Sequence, residues 1–91
     1  MNKYVVTRVS PGKKLDMPVE TEYDLTGNQM LIKGKQLVYE HYKNEGLSIL
    51  KEFGHTFVNV VPRYAIIVIA IDAGYGLGIV RYDAFIVKQI K

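Results

Sequence analysis

Tyr64-Ala65-Ile66-Ile67-Val68-Ile69-Ala70-Ile71 is the longest apolar run in the chain, held between Arg63 and Asp72. It is far shorter than the roughly 20 residues that cross a bilayer as a helix, and reads as a strand. Apolar on both faces, such a strand sits centrally, covered on both sides. The middle of the chain can cover one side. The other needs a second sheet layer or a second subunit, because 91 residues struggle to supply both covers. The run therefore predicts a homo-oligomer, a dimer or larger. It also predicts an α+β fold: a small antiparallel sheet of four to five strands with one central helix or a broken helix pair. The alternative is an all-β barrel or sandwich.

Outward on the C-terminal side, Asp72 to Gly78 is the connection and Ile79 to Ile90 the return strand or strand pair. Val80, Tyr82, Ala84 and Ile86 share one face; Arg81, Asp83, Phe85 and Val87 share the other. Arg81 and Asp83 are neighbours on that face, placed either to pair or to interrupt the core. Glycines 74, 76 and 78 alternate in the connection. A glycine-rich loop presents backbone N–H groups to a phosphate in some proteins, but those loops precede a helix, and here a strand follows. A hairpin connection with a glycine bulge is the plainer reading. From Ile69 to Val80 the sequence resembles the first hairpin of ribonuclease-H-like proteins, in which the aspartate ending the strand binds a divalent metal or lies near nucleotide phosphates. Asp72 would be that residue. Those folds continue with further strands and acidic ligands, which the residues up to Lys91 do not supply, and no family is recognised.

On the N-terminal side, Thr56 to Val61 reads as a strand, and Pro62-Arg63 marks its end. Gln29 to Phe53 has two readings. As helix, Tyr39, Tyr42, Ile49, Leu50 and Phe53 lie near one stripe, Thr26-Gly27-Asn28 offers the N-cap, and Gly54 caps the C-terminus. Asn44-Glu45-Gly46 then breaks the segment in two. As β, Leu37 to Tyr42 and Leu47 to Phe53 form a hairpin around Lys43 to Gly46. Gln, Lys, Glu and Leu content and Gly54 favour helix; the hairpin stays open. Lys3 to Val9 reads as a strand ended by Ser10-Pro11-Gly12. Lys13 to Thr26 is irregular, with a short charged edge strand in which Val19, Thr21 and Tyr23 alternate with Glu20, Glu22 and Asp24.

Apolar residues are 48% and charged residues 23% of the chain, a globular balance that argues against disorder. One domain over residues 1–91 is expected. There is no cysteine, so disulfides and thiolate zinc sites are out, and a reducing, cytoplasmic compartment is expected. No secretory leader is visible at Met1-Asn2-Lys3-Tyr4, and no membrane association is expected. His41 and His55 are too few for a structural metal site, so no metal or cofactor is implied. No nucleophile–base constellation is visible, and the chain is expected to be non-enzymatic, with no catalytic residues.

Net charge is +3, unevenly spread. Asp16, Glu20, Glu22 and Asp24 lie within nine residues free of Lys and Arg; the remaining twelve basic and five acidic residues leave a balance of +7. The chain has seven tyrosines, whose faces and hydroxyls suit interfaces and base stacking. Together these features point to a small binding module for an anionic partner, a nucleotide-like small molecule or nucleic acid. Arg63, Tyr75, Gly76 and Arg81 are its candidate ligand residues. The alternative is a protein-interaction module, such as an inhibitor or adaptor of a kind common in phages and mobile elements, with Glu20, Glu22 and Asp24 at the contact.

Overall fold

Nine-residue β4 (Tyr64–Asp72) carries the long apolar run, and antiparallel β5 (Val80–Ile90) returns beside it, Ile67 opposite Phe85 and Ile71 opposite Arg81. The computed structural model describes residues 1–10, 14–74 and 78–90. The other elements are β1 (Asn2–Ser10), β2 (Leu15–Thr21), α1 (Gly27–Asn44) and β3 (Ser48–Phe57). The five strands form one open antiparallel sheet in the order β2-β1-β5-β4-β3. The protein is thus mainly sheet with one helix. Because β1 pairs with β5, the two ends of the chain close the middle of the sheet. β5 is the central strand, and β4 lies one place from the edge.

The helix explains one face of the sheet. Tyr4 and Val6 from β1, Ala65, Ile67, Ile69 and Ile71 from β4, and Phe85 and Val87 from β5 alternate along their strands and are all buried. Met30, Val38 and Tyr42 of α1 join them in one core. Each fully buried Ile or Phe here contributes roughly 1.5–3 kcal/mol relative to exposure. The helix begins with a capping box: Gln29 N–H donates to Thr26 Oγ1 at 3.2 Å, and Thr26 N–H donates to Gln29 Oε1 at 2.9 Å. Two orphan donors of the first turn are satisfied there.

The expected helix runs too far. It ends at Asn44, with Gly46 at φ 73° turning the chain into β3. That left-handed φ suits glycine and stops the helix. Ile49, Leu50 and Phe53 therefore belong to a strand, and Gly54 is an interior strand residue facing Leu31, not a cap. Asn44-Glu45-Gly46 terminates one helix and does not join two. The strand expected over Thr56 to Val61 ends at Phe57, because Phe57 pairs with Tyr64 and the residues between must reverse the chain. The edge strand of the acidic segment covers Leu15–Thr21, with Pro18 opposite Val5. Proline is tolerated there because an edge strand has one side without a partner.

Candidate functional site

Among the described residues, no helix or strand lies over the second face of the sheet. Residues that alternate with the core set point away from the helix: Ile66 and Val68 on β4, and Ala84 and Ile86 on β5, are half-buried at its centre. Towards β3 and one end of β5, Phe53 is 56% and Tyr82 60% exposed. Phe57 stacks on Tyr64 at 4.7 Å, and His55 meets Phe57 edge-on at 4.7 Å. The β3–β4 loop extends this surface. Val60, Val61 and Pro62, with Tyr64, Ile66, Ile86 and Lys88, line an apolar cavity of about 410 Å³. Contiguous exposed apolar surface is, as a general rule, where soluble proteins contact other molecules.

A polar cluster lies on the opposite, helix-covered face. Asp83 is completely buried at the centre of the sheet. Arg81 Nε donates to its Oδ1 and Arg81 Nη2 to its Oδ2, each at 3.1 Å, and the Tyr42 hydroxyl donates to Oδ2. The pairing of Arg81 with Asp83 is one of the two arrangements expected from their spacing. Burial is the main force raising the Tyr42 pKa above its ordinary value; the hydrogen bond to Asp83 adds to it, and Arg8 opposes it. With its donors in place and no solvent access, Asp83 acts as an internal anchor for the end of α1. Among the described residues, no buried side-chain nitrogen or oxygen lacks a partner, and no group of three His, Asp or Glu residues is placed to hold a metal.

Burial likewise leads the causes that raise the Tyr4 pKa, with the Asp24 side chain adding to it. A tyrosine whose pKa is higher folded than unfolded stabilises the protein fully below the unfolded value of 10.0. That stabilisation is lost as pH rises towards the folded pKa, because the unfolded chain ionises first. Denaturant unfolding at fixed protein concentration is therefore expected to give constant stability between pH 8 and 9 and a fall above about pH 10, of up to about 1.4 kcal/mol per pH unit for each such tyrosine. Tyr42→Phe should remove part of that slope. An unchanged slope in the variant would contradict the assignment.

The residues singled out in the sequence do not converge. Arg63 stands at the start of β4, where its Nη2 donates to Asp24 Oδ2 at 3.1 Å. Arg81 lies at the other end of the same strand pair, opposite Ile71. Eight residue steps at about 3.3 Å each, from position 63 to position 71, separate the two arginines by roughly 26 Å. Both are paired with carboxylates. Tyr75 and Gly76 lie outside the described residues. Asp24 also accepts from the Tyr4 hydroxyl at 2.7 Å, while that hydroxyl accepts from Leu25 N–H at 2.7 Å. Asp24 thus ties the entrance of α1 to the sheet and to Arg63. Glu20, on edge strand β2, and Glu22, just beyond it, are exposed. The open face, with Phe53, Ile66, Val68 and Ile86, and the anchor residue Tyr42 were missed as site residues. The alternation Phe53-x-His55-x-Phe57 carried a signal for the face, hidden by the helical reading of that segment.

No helix among the described residues is long and apolar enough to cross a membrane. Comparisons with protein-family models, curated proteins and solved structures return no match.

Proposed function

We propose that this protein is a non-enzymatic protein-interaction module that works by burying the open face of its sheet against another protein surface. One observation carries the reading: α1 lies on one face of a five-stranded sheet, and the other presents Phe53, Ile66, Val68, Tyr82 and Ile86 with no helix or strand of the described residues over them. The homo-oligomer expected from β4 belongs to the same proposal, since self-association is one way to cover that face. Anion recognition draws less support, because Arg63 and Arg81 are far apart and each already holds a carboxylate.

Native mass spectrometry of the full chain, gently purified, tests the reading. The expected result is a protein complex that Val68→Glu releases and that Arg63→Ala and Glu22→Lys leave intact. A retained non-protein mass in the nucleotide range, lost with Arg63→Ala, would replace this reading with anion binding.

A further inference from the structure

We infer that the occupant of the open face is a second copy of this chain, packed face to face so that two five-stranded sheets make a sandwich with the helices outside. This rests on the interaction reading above and names its partner. Three observations lead to it.

The first is surface. A monomeric protein of 10.4 kDa is expected to expose about 5,400 Å². This chain exposes 6026 Å². Its radius of gyration is 13.5 Å, against about 12 Å for a compact domain of this length. Both excesses accompany an elongated shape, 43 × 24 × 20 Å, in which one sheet face carries no helix.

The second is size. Five strands about 4.8 Å apart, averaging roughly nine residues at about 3.3 Å, give a face of about 700 Å² in projection. Side-chain relief raises the accessible area towards the roughly 800 Å² that each partner contributes to a stable interface. One copy of the same face therefore covers it with little left over, whereas a small peptide would leave much of it wet.

The third is the arrangement of polarity. Ile66, Val68, Ala84 and Ile86 form an apolar centre. Around it on the same face lie Asp16 and Glu20 on β2, Lys3 on β1, Lys51 on β3 and Lys88 on β5. A two-fold interface must be complementary to itself. A rim of one sign would repel its own copy; this one carries both signs. An apolar centre inside a polar rim is also how protein interfaces are built. Two such sheets pack about 10 Å apart with their strands about 30° from parallel.

Sedimentation equilibrium of the full chain, from nanomolar to high micromolar, measures the association directly. A species of twice the chain mass is expected. Val68→Glu, which puts a charge at the centre of the face, should weaken dimerisation at least 100-fold. Should that variant fail to fold, Phe53→Ser, at a position already 56% exposed, should raise the dimer dissociation constant about 10-fold with an unchanged circular dichroism spectrum. A dimer whose dissociation constant is indifferent to Phe53→Ser and to every folded open-face variant overturns the assignment of the interface. A wild-type monomer at all concentrations that binds 1-anilinonaphthalene-8-sulfonate, with binding reduced by Phe53→Ser, overturns the second copy and leaves the interaction reading standing. A wild-type monomer that binds none of the dye overturns both.

Discussion

Asp83→Ala is expected to cost about 3 kcal/mol of folding stability, a large part of the roughly 5–10 kcal/mol available to a domain of this size. The carboxylate is fully buried on the central strand and accepts from Arg81 Nε, Arg81 Nη2 and the Tyr42 hydroxyl. Its removal has unequal consequences for its partners. The Arg81 side chain is 42% exposed, so its guanidinium turns to water at small cost. Tyr42 is 1% exposed, and its hydroxyl is left without its acceptor beneath the helix. A cavity in the sheet adds to the loss. Asp83→Asn keeps the shape and one acceptor oxygen, and should cost about half as much. The double variant Asp83→Val with Tyr42→Phe removes both halves of the buried bond and fills the space with carbon. It should be more stable than Asp83→Ala, because a missing partner costs more than a missing pair. Urea unfolding of the four proteins at one concentration decides this. Equal losses in Asp83→Ala and the double variant would mean that the buried hydrogen bond is not what holds this region.

The same residues show what a sequence makes legible. Arg81 and Asp83 are two apart on a strand, so alternation alone puts them on one face, and their ion pair was one of two expectations. Arg63 and Asp24 are 39 residues apart, and nothing local signals their contact. The β4–β5 hairpin was legible because its apolar run is uninterrupted and its return strand alternates cleanly. β3 was not. Its register shifts between Ile49 and Lys51, which inserts Leu50 and breaks the period of two. Ile49, Leu50 and Phe53 then fall close to a helical spacing, and the good helix formers around them completed the error. The open face was half-legible. A strand apolar on both sides announced two apolar faces, and among the described residues α1 lies over one of them. Which residues surround Val68 on that face depends on the pairing of β3 and β5 with β4, and no local pattern carries it.

The close approach of α1 to the sheet makes a second, larger demand on a single position. Gly34→Leu is expected to destabilise the protein by about 3 kcal/mol or more, and Gly34→Ala by about 1–2 kcal/mol. In isolation the alanine change would help, since glycine costs a helix interior about 1 kcal/mol. Here a Cβ on residue 34 would lie 2.5 Å from Val87 Cγ2 and 2.9 Å from Ile67 Cδ1. Both side chains are buried in the core between helix and sheet, so neither can retreat without moving its neighbours. The glycine sets the distance at which α1 sits over β4 and β5, and its conformational cost is the lesser one. The contact also dictates a reversal of sign. In a Val87→Ala background the nearer obstructing methyl is gone and the cavity it leaves gives Ile67 Cδ1 room to move aside, so Gly34→Ala should become neutral or stabilising. Thermal unfolding of the four proteins at equal concentration measures the coupling, and each kcal/mol corresponds to about 4–8 °C in a domain of this length. If Gly34→Ala costs the same with and without Val87, the helix is not held against the sheet at this point, and the destabilisation must come from elsewhere in α1.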